Sequence, residues 1–381
     1  MHPWRGSSRQ CMWRKARPWR RGRNWSPWRR CRTEGAGMDA LLRNLLDWIE
    51  IDSTTGAEGD YGDALAGALS AAGFAVERQD VAPGRFNILA RADMPEIVFC
   101  THLDTVPPFF SSRVVAGVIH GRGSCDAKGQ AAAMLAAARK LLAAGERRVG
   151  FLFTVGEETD GVGASAANAR LPRGPGGEEW APRYTIIGEP TGGRFVAGHK
   201  GVFKATLRAQ GVAGHSSQDI GPSAVHELVC CSHAILNDTW GQHPLFGPGT
   251  INLGQIRGGV AANVVADRAE ADLMVRTVEE PSDVETRLRG HLNNAVELLT
   301  PEVAYGPVRF HVPPGEDDAP VVAFGTDAVH LPRWGTPLLM GAGSIRDAHT
   351  DHEQVILLDL EQAAARHVRC VTDLLAQPEL P

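Results

Sequence analysis

Hydrophobic residues between positions 39 and 193 follow two spacings in alternation. Repeats of about three to four residues predict helices, whereas short continuous apolar runs predict buried strands. The predicted helices are 39–51, 61–72, Gln130 to Ala144 and a segment after Thr159, and the predicted strands are 74–79, 86–91, 96–100, 149–155 and 184–188. This alternation predicts an α/β fold with a mostly parallel sheet and helices on both of its faces.

From about residue 194 the order of the pattern changes. The predicted elements are strand 195–210, helix 222–237, strands 249–257 and 264–277, helix 282–299 and strand 307–312. The order βαββαβ is typical of the split, ferredoxin-like arrangement. The Gly- and Pro-rich stretch 171–183, which precedes this block, predicts a surface loop.

Acidic residues and histidines follow several of the strands predicted in the first block. His102, Glu158 and Glu189 each follow an apolar strand pattern, Asp126 lies in a glycine-rich turn before a helix, and His349 follows a second glycine-rich turn. Each motif alone has an ordinary explanation, such as a helix N-cap or a solvated pair of acids. Because open α/β sheets bind ligands at the carboxyl ends of their strands, the succession of motifs favours one shared site.

These five residues match the ligand count of a site for two metal ions. Two ions about 3.5 to 4 Å apart need one shared carboxylate and two further ligands each, usually a histidine and a carboxylate. Two neighbouring acids, Asp104 and Glu157, remain unassigned. Metal-assisted hydrolysis needs a general base and a carboxylate that orients a ligating imidazole, and the two remaining acids fit these two roles.

The positions of the ligands along the chain also predict how the domains are connected. A site that uses both Glu189 and His349 requires the chain to return to the first sheet after the βαββαβ block. That block is therefore predicted to be an insertion. The predicted catalytic domain comprises residues 38–193 and 313–381, and the inserted domain comprises residues 194–312.

Overall composition is that of a globular protein, with 43% hydrophobic and 22% charged residues. No apolar run approaches the length of a membrane span, so we expect no membrane association. The seven cysteines contain no Cys-x-x-Cys pair. Free thiols and a cytoplasmic location are the corresponding prediction.

Charge is concentrated in residues 1–37, which hold 11 of the 39 Lys and Arg, one of the 44 acids and five of the nine Trp. Basic residues interleaved with aromatics suit a nucleic-acid or membrane-binding arm, and the absence of an apolar core excludes a secretory signal. We favour a third interpretation, in which the segment is a disordered, dispensable upstream extension, Met38 is the native start, and nucleic acid is not a partner.

The motifs around these residues resemble a zinc-dependent family that includes acetylornithine deacetylase, succinyl-diaminopimelate desuccinylase, aminoacylase, glutamate carboxypeptidase and tripeptide aminopeptidase. The resemblance extends from Met38 to the C-terminus. It implies that His102 and Glu189 hold one zinc ion and that Glu158 and His349 hold the other, with Asp126 between them. Two Zn ions are thus expected, with Co or Mn as substitutes.

The same resemblance assigns roles to five further residues. It implies that Asp104 orients His102 and that Glu157 is the general base. Motifs in the inserted block resemble the family's dimerisation (lid) domain, which implies a homodimer. In that domain His215 would donate to the oxyanion across the dimer, and Asn263 and Arg276 would bind substrate.

The expected function is removal of the acyl group, an acetyl above all, from an N-acyl amino acid. N²-acetylornithine is the first substrate predicted, with a role in arginine or lysine biosynthesis, because the sequences around Glu189 and His349 resemble the acetylornithine deacetylase branch. Two alternatives use the same chemistry: a carboxypeptidase or dipeptidase, and succinyl-diaminopimelate desuccinylase, for which Arg346 is a candidate donor. Glu189, in place of Asp, resembles the deacylase and carboxypeptidase branches.

Overall fold

The computed structural model describes residues 39–377. The predictions for the basic segment 1–37, its disorder and its non-native origin, lie outside the described residues. Within the described part, no helix combines the length and the apolar character needed to cross a lipid bilayer.

A six-stranded sheet forms the centre of the catalytic part. The four strands at one side of the sheet run parallel, and a hairpin adds two antiparallel strands at the other side. The sheet is therefore mixed, and three of its five strand pairings are parallel. In spatial order the strands are Ala75–Ala82, Arg85–Arg91, Val149–Thr154, Ile97–His102, Tyr184–Ile187 and Thr336–Leu339.

Helices cover both faces of this sheet, because side chains alternate between the two faces along each strand. Phe99 packs on one face with residues from helices Asp39–Ile49, Gly59–Ala71, Lys128–Ala143 and Leu357–Ala376. Its neighbours Val98 and Cys100 point to the opposite face, where helix Val162–Ala169 packs. Strands Ile97–His102, Val149–Thr154 and Tyr184–Ile187 are buried on both sides, which explains their mostly apolar sequences.

A second, antiparallel sheet is formed by residues between 201 and 305. Two helices, Ala224–Leu236 and Pro281–Gly290, share one apolar core with one face of this sheet. The spatial order of its strands is Thr250–Gly258, Arg268–Thr277, Gly201–Gln210 and Val296–Leu298, and Val303–Tyr305 also pairs with Gly201–Gln210.

Two predicted elements of this block are wrong. The helix predicted over 282–299 ends at Gly290, and residues Val296–Leu298 form a strand. Val296 and Leu298 are buried while Glu297 between them is exposed, a period of two that is typical of a strand. The strand predicted over 307–312 is reduced to Val308–Arg309, which pairs with Gly198–His199.

Short strands complete the described structure. They form small ladders in which each member has two or three residues. They are Arg113–Val115, Val118–His120 and Gln354–Ile356; Gly198–His199, Val308–Arg309 and Val321–Val322; Gly214–His215 and Val264–Val265; and Gln242–His243 and Gly247–Pro248. A 3₁₀ helix covers Asp327–His330.

His367 in the last helix links the packing of this core to pH. The ring is buried against Phe99, and neither ring nitrogen has a hydrogen-bond partner among the described residues. Burial, with the charge of Arg366, lowers the pKa of His367 to about 3. A histidine whose pKa lies below its unfolded value of about 6.5 stabilises the fold fully above that value and less as pH falls below it.

We therefore predict that His367→Leu makes stability less dependent on pH. Between pH 7.5 and 5.5 the free energy of unfolding should fall less in the variant than in the wild type, by about 1.4 kcal/mol. The measurement is urea unfolding of both proteins with chelator present, so that metal loss is common to both. Parallel pH dependences would show that the His367 ring is not neutral in the folded protein.

Candidate metal centre

The five predicted ligands lie at one edge of the central sheet. His102 ends strand Ile97–His102, and Glu158 and Glu189 follow strands Val149–Thr154 and Tyr184–Ile187. Asp126 precedes helix Lys128–Ala143, and His349 lies in the loop after strand Thr336–Leu339. Because these strands are parallel, their carboxyl ends meet at the same edge and bring together residues distant in sequence.

The side chains form two groups of three that share Asp126: His102, Asp126 and Glu189, and Asp126, Glu158 and His349. In each group, ligand atoms lie within 4.8 Å of one another. Oδ1 of Asp126 is 2.9 Å from Nε2 of His102, and its Oδ2 is 3.2 Å from Nε2 of His349. Nε2 of His349 is also 2.9 Å from Oε2 of Glu158. The two oxygens of the Asp126 carboxylate thus face two separate sets of potential metal ligands, which we call the two donor groups.

The chemistry of this donor set fits divalent metal ions. Histidine nitrogens and carboxylate oxygens are ligands for zinc and related ions. Burial raises the pKa values of Glu189 and Glu157 well above the ordinary range, and nearby carboxylates add to the effect. Burial alone would also raise the pKa of Asp126, but hydrogen bonds with both histidines lower it. Cations at this place would favour the ionised carboxylates.

Asp104 contacts more than the imidazole that it was predicted to orient. Nδ1 of His102 is 2.9 Å from the main-chain oxygen of Asp104 and 3.5 Å from its carboxylate Oδ1. That carboxylate accepts the backbone N–H groups of Glu157 and Glu158, at 3.1 and 3.2 Å, and the hydroxyl of Thr55 at 2.8 Å. Asp104 therefore also holds the turn that carries the paired glutamates.

Glu157 belongs to neither group of three and lines the cavity in front of them. The cavity has a volume of about 520 Å³ and continues to the second sheet, where Arg276 and Tyr305 line it. The side chain of Arg276 is thus available to a molecule bound beside the acidic cluster. This arrangement gives the site a candidate base and a candidate cationic anchor.

The structure does not bring the other two predicted substrate residues into this cavity. His215 and Asn263 are exposed. His215 lies in the two-stranded ladder of Gly214–His215 with Val264–Val265, and Asn263 directly precedes the second of these strands. The imidazole of His215 contacts the hydroxyl of Ser217 at 2.8 Å.

Asp327 is a cavity residue that sequence reasoning missed. It is buried and accepts a hydrogen bond from Thr154 at 2.5 Å, and burial raises its pKa to about 6. The Gly-Thr-Asp segment that contains it follows no predicted strand. Asp327 therefore lacks the position after a strand that marks Glu158 and Glu189 in the sequence.

An α/β sheet that carries two histidines and three carboxylates, one of which is the shared Asp126, fits the class of metal-dependent hydrolases. The sequence profile of Peptidase family M20/M25/M40 matches residues 98–373. A probable carboxypeptidase of Aspergillus terreus is 34% identical over 361 residues, covering 83% of this chain and 82% of the relative. The chain therefore belongs to this peptidase family, and the prediction of a metal-dependent hydrolase is confirmed.

Solved structures show the same fold. A tripeptidase from Staphylococcus aureus has a TM-score of 0.74 at 22% identity, with 89% of this chain and 99% of that chain covered. A dinuclear metal-binding peptidase of the M20 family from Bacillus subtilis has a TM-score of 0.66 at 16% identity, with 90% and 99% covered.

The geometry predicts different losses for the two neighbouring glutamates. Glu158→Gln should lose about one metal ion per chain, because Glu158 lies in one of the two donor groups. Glu157→Gln should keep both ions and lower kcat by roughly 10²- to 10⁴-fold, because only a proton acceptor is removed. Metal content and kcat are measured for both purified variants, and each variant serves as the control for the other. Loss of metal from Glu157→Gln alone would reverse the two assignments.

Proposed function

We propose that this protein is a carboxypeptidase that removes the C-terminal residue from short peptides. The observation that carries the proposal is Arg276, which lines the cavity beside the acidic cluster. A guanidinium can bind a carboxylate through two parallel hydrogen bonds, which suits a substrate's terminal carboxylate. The probable carboxypeptidase of Aspergillus terreus supports the proposal. Glu189, in place of Asp, is compatible with it, although it resembles the deacylase branch equally.

The residues of the site supply the steps of amide hydrolysis. Arg276 would hold the terminal carboxylate and so place the adjacent amide near the donor groups. Glu157 would accept the proton of the attacking water and pass it to the leaving amine. Divalent ions, proposed to be zinc with cobalt or manganese as substitutes, supply Lewis-acid polarisation and a water of lowered pKa when bound.

Removal of an acyl group from an N-acyl amino acid is the second candidate, with N²-acetylornithine as the first substrate. This reaction also breaks an amide next to a carboxylate, so the same residues serve it. Asp160 lines the cavity outside both donor groups, and its carboxylate favours a substrate with a cationic side chain. Glu302, also in the lining, is paired with Lys204 at 2.6 Å. Arg346, the candidate donor for a succinyl group, is exposed and outside the cavity lining.

We also propose that residues 194–312 form a dimerisation domain and that the protein is a cytoplasmic homodimer. Strand Thr250–Gly258 is an edge of the second sheet, and an uncovered edge is a ready site for pairing with another chain. Exposed apolar side chains, Ile256 and Val260 on this side and Val229 on the adjacent helix, support an interface. In a dimer, His215 and Asn263 would reach the partner's cavity.

A paired substrate comparison tests the carboxypeptidase proposal. An N-blocked dipeptide with a free C-terminal carboxylate should have a kcat/KM about 10²-fold or more above that of its C-terminal amide, because Arg276 would be left unpaired by the amide. Arg276→Met should remove most of this difference. Equal rates on acid and amide, or a tenfold preference for N²-acetylornithine, would contradict the proposal.

The role of His215 across the dimer is tested by mixing two inactive variants, Glu157→Gln and His215→Ala. Each heterodimer should contain one site free of both changes, so activity should return to about a quarter of the wild type after random exchange of subunits. Subunit exchange is verified by native mass spectrometry. Without recovery, His215 would not act on the partner's substrate.

A further inference from the structure

The turn that carries Asp126 is held by a buried carboxylate that belongs to neither donor group. Oε1 of Glu353 accepts the backbone N–H groups of Cys125 and Asp126, both at 3.1 Å. Glu353 is fully buried. The backbone of Asp126 is therefore fixed by a residue that lies four positions after His349.

The second oxygen of Glu353 is also occupied. Oε2 accepts a hydrogen bond from Nη1 of Arg122 at 2.6 Å, and both side chains are buried. Arg122 is held in turn, since its Nε donates to the main-chain oxygen of Pro108 at 3.2 Å. Three N–H donors thus require two acceptor oxygens on Glu353, a requirement that only a carboxylate meets.

Gln130 makes a similar link at the other end of the same loop. Its Nε2 donates to the main-chain oxygens of Cys125 and Ala342, both at 2.7 Å. Its Oε1 accepts the N–H of Ala342 at 2.9 Å. The loop 342–353, which contains His349, is therefore fastened to the Asp126 turn near its start and at its end.

The position of His349 depends on these hydrogen bonds more than the position of a ligand within a strand does. Its side chain is 50% exposed, and its φ of 62° lies in the left-handed region, which non-glycine residues adopt only where their surroundings fix it. His102, by contrast, is part of a central strand with partners on both sides. The distance between Asp126 and His349 is therefore set by the two ends of the loop.

We propose that Glu353 and Gln130 are positioning residues that hold His349 within reach of Asp126, and that they determine metal occupancy of the Asp126, Glu158 and His349 group. Hydrogen-bond partners of ligand-bearing groups change metal affinity by about 10- to 100-fold when removed. The inference rests on the metal assignment and is independent of which substrate the enzyme cleaves.

Glu353→Gln is the direct test, because it keeps the size of the side chain and replaces one acceptor oxygen by a donor. At a free zinc concentration that loads two ions per wild-type chain, the variant should hold about one, with its weaker site reduced about 10- to 100-fold in affinity. The melting temperature is measured with and without zinc. If Glu353 had a purely structural role, the substitution would lower the melting temperature equally with and without zinc. The rise in melting temperature on adding zinc would then be unchanged.

Asp351→Asn is the matched control. It removes the same charge from the same loop, but the Asp351 side chain is 92% exposed and pairs with the adjacent His352 ring. This control should bind two ions with wild-type affinity. Two ions bound at wild-type affinity by Glu353→Gln, with an unchanged zinc-induced rise, would overturn the proposal.

Gln130→Glu provides a second variant if Glu353→Gln does not yield folded protein. It places a carboxylate oxygen against the two carbonyls to which Nε2 now donates, and the same loss of about one ion is expected. Retention of both ions would again overturn the proposal. A wild-type chain that binds one ion would instead contradict the two-metal assignment, so the two failures are distinguishable.

Discussion

The crowding of carboxylates at one edge of the sheet is the constraint on which the site depends. Asp126, Glu158 and Glu189 lie with two histidines in two groups that share Asp126, and Glu157 lines the adjoining cavity. Charges in such a place repel one another and lose hydration, so the ionised state needs compensation. The two histidines supply part of it, and the donor set fits divalent cations for the remainder.

The parallel strands determine how ligands that are distant in sequence come to lie close together. Each ligand-bearing loop begins at the end of a strand whose direction is fixed by its neighbours, so the loops leave the sheet side by side. The second sheet interrupts the chain between Glu189 and His349, yet it contributes Arg276 and Tyr305 to the wall opposite the ligands. One cavity thus combines an acidic floor with a cationic group suited to a substrate carboxylate.

Sequence reasoning succeeded where a local pattern determines position. A strand pattern followed by His102 or Glu189 predicts both the element and its functional end, and the five residues indeed lie together. It failed over 282–299, because a charged helical pattern is followed after a few residues by a strand of only three residues. It also gave no role to Glu353, because the partners of that carboxylate lie more than 200 residues away and only the folded chain brings them together.

The number of donors around each acid explains why chemically similar residues differ in role. The oxygens of Asp104 receive two backbone N–H groups and a hydroxyl, and those of Glu353 receive two backbone N–H groups and a guanidinium. Their lone pairs are engaged with the protein, so these acids fix the turns that carry Glu157, Glu158 and Asp126. The oxygens of Asp126 instead face imidazole nitrogens, which can turn from hydrogen-bond partners into fellow ligands when a cation binds. Asp104 and Glu353, which accept backbone N–H groups, therefore stabilise the turns, whereas Asp126, which contacts histidines, remains available to bind metal.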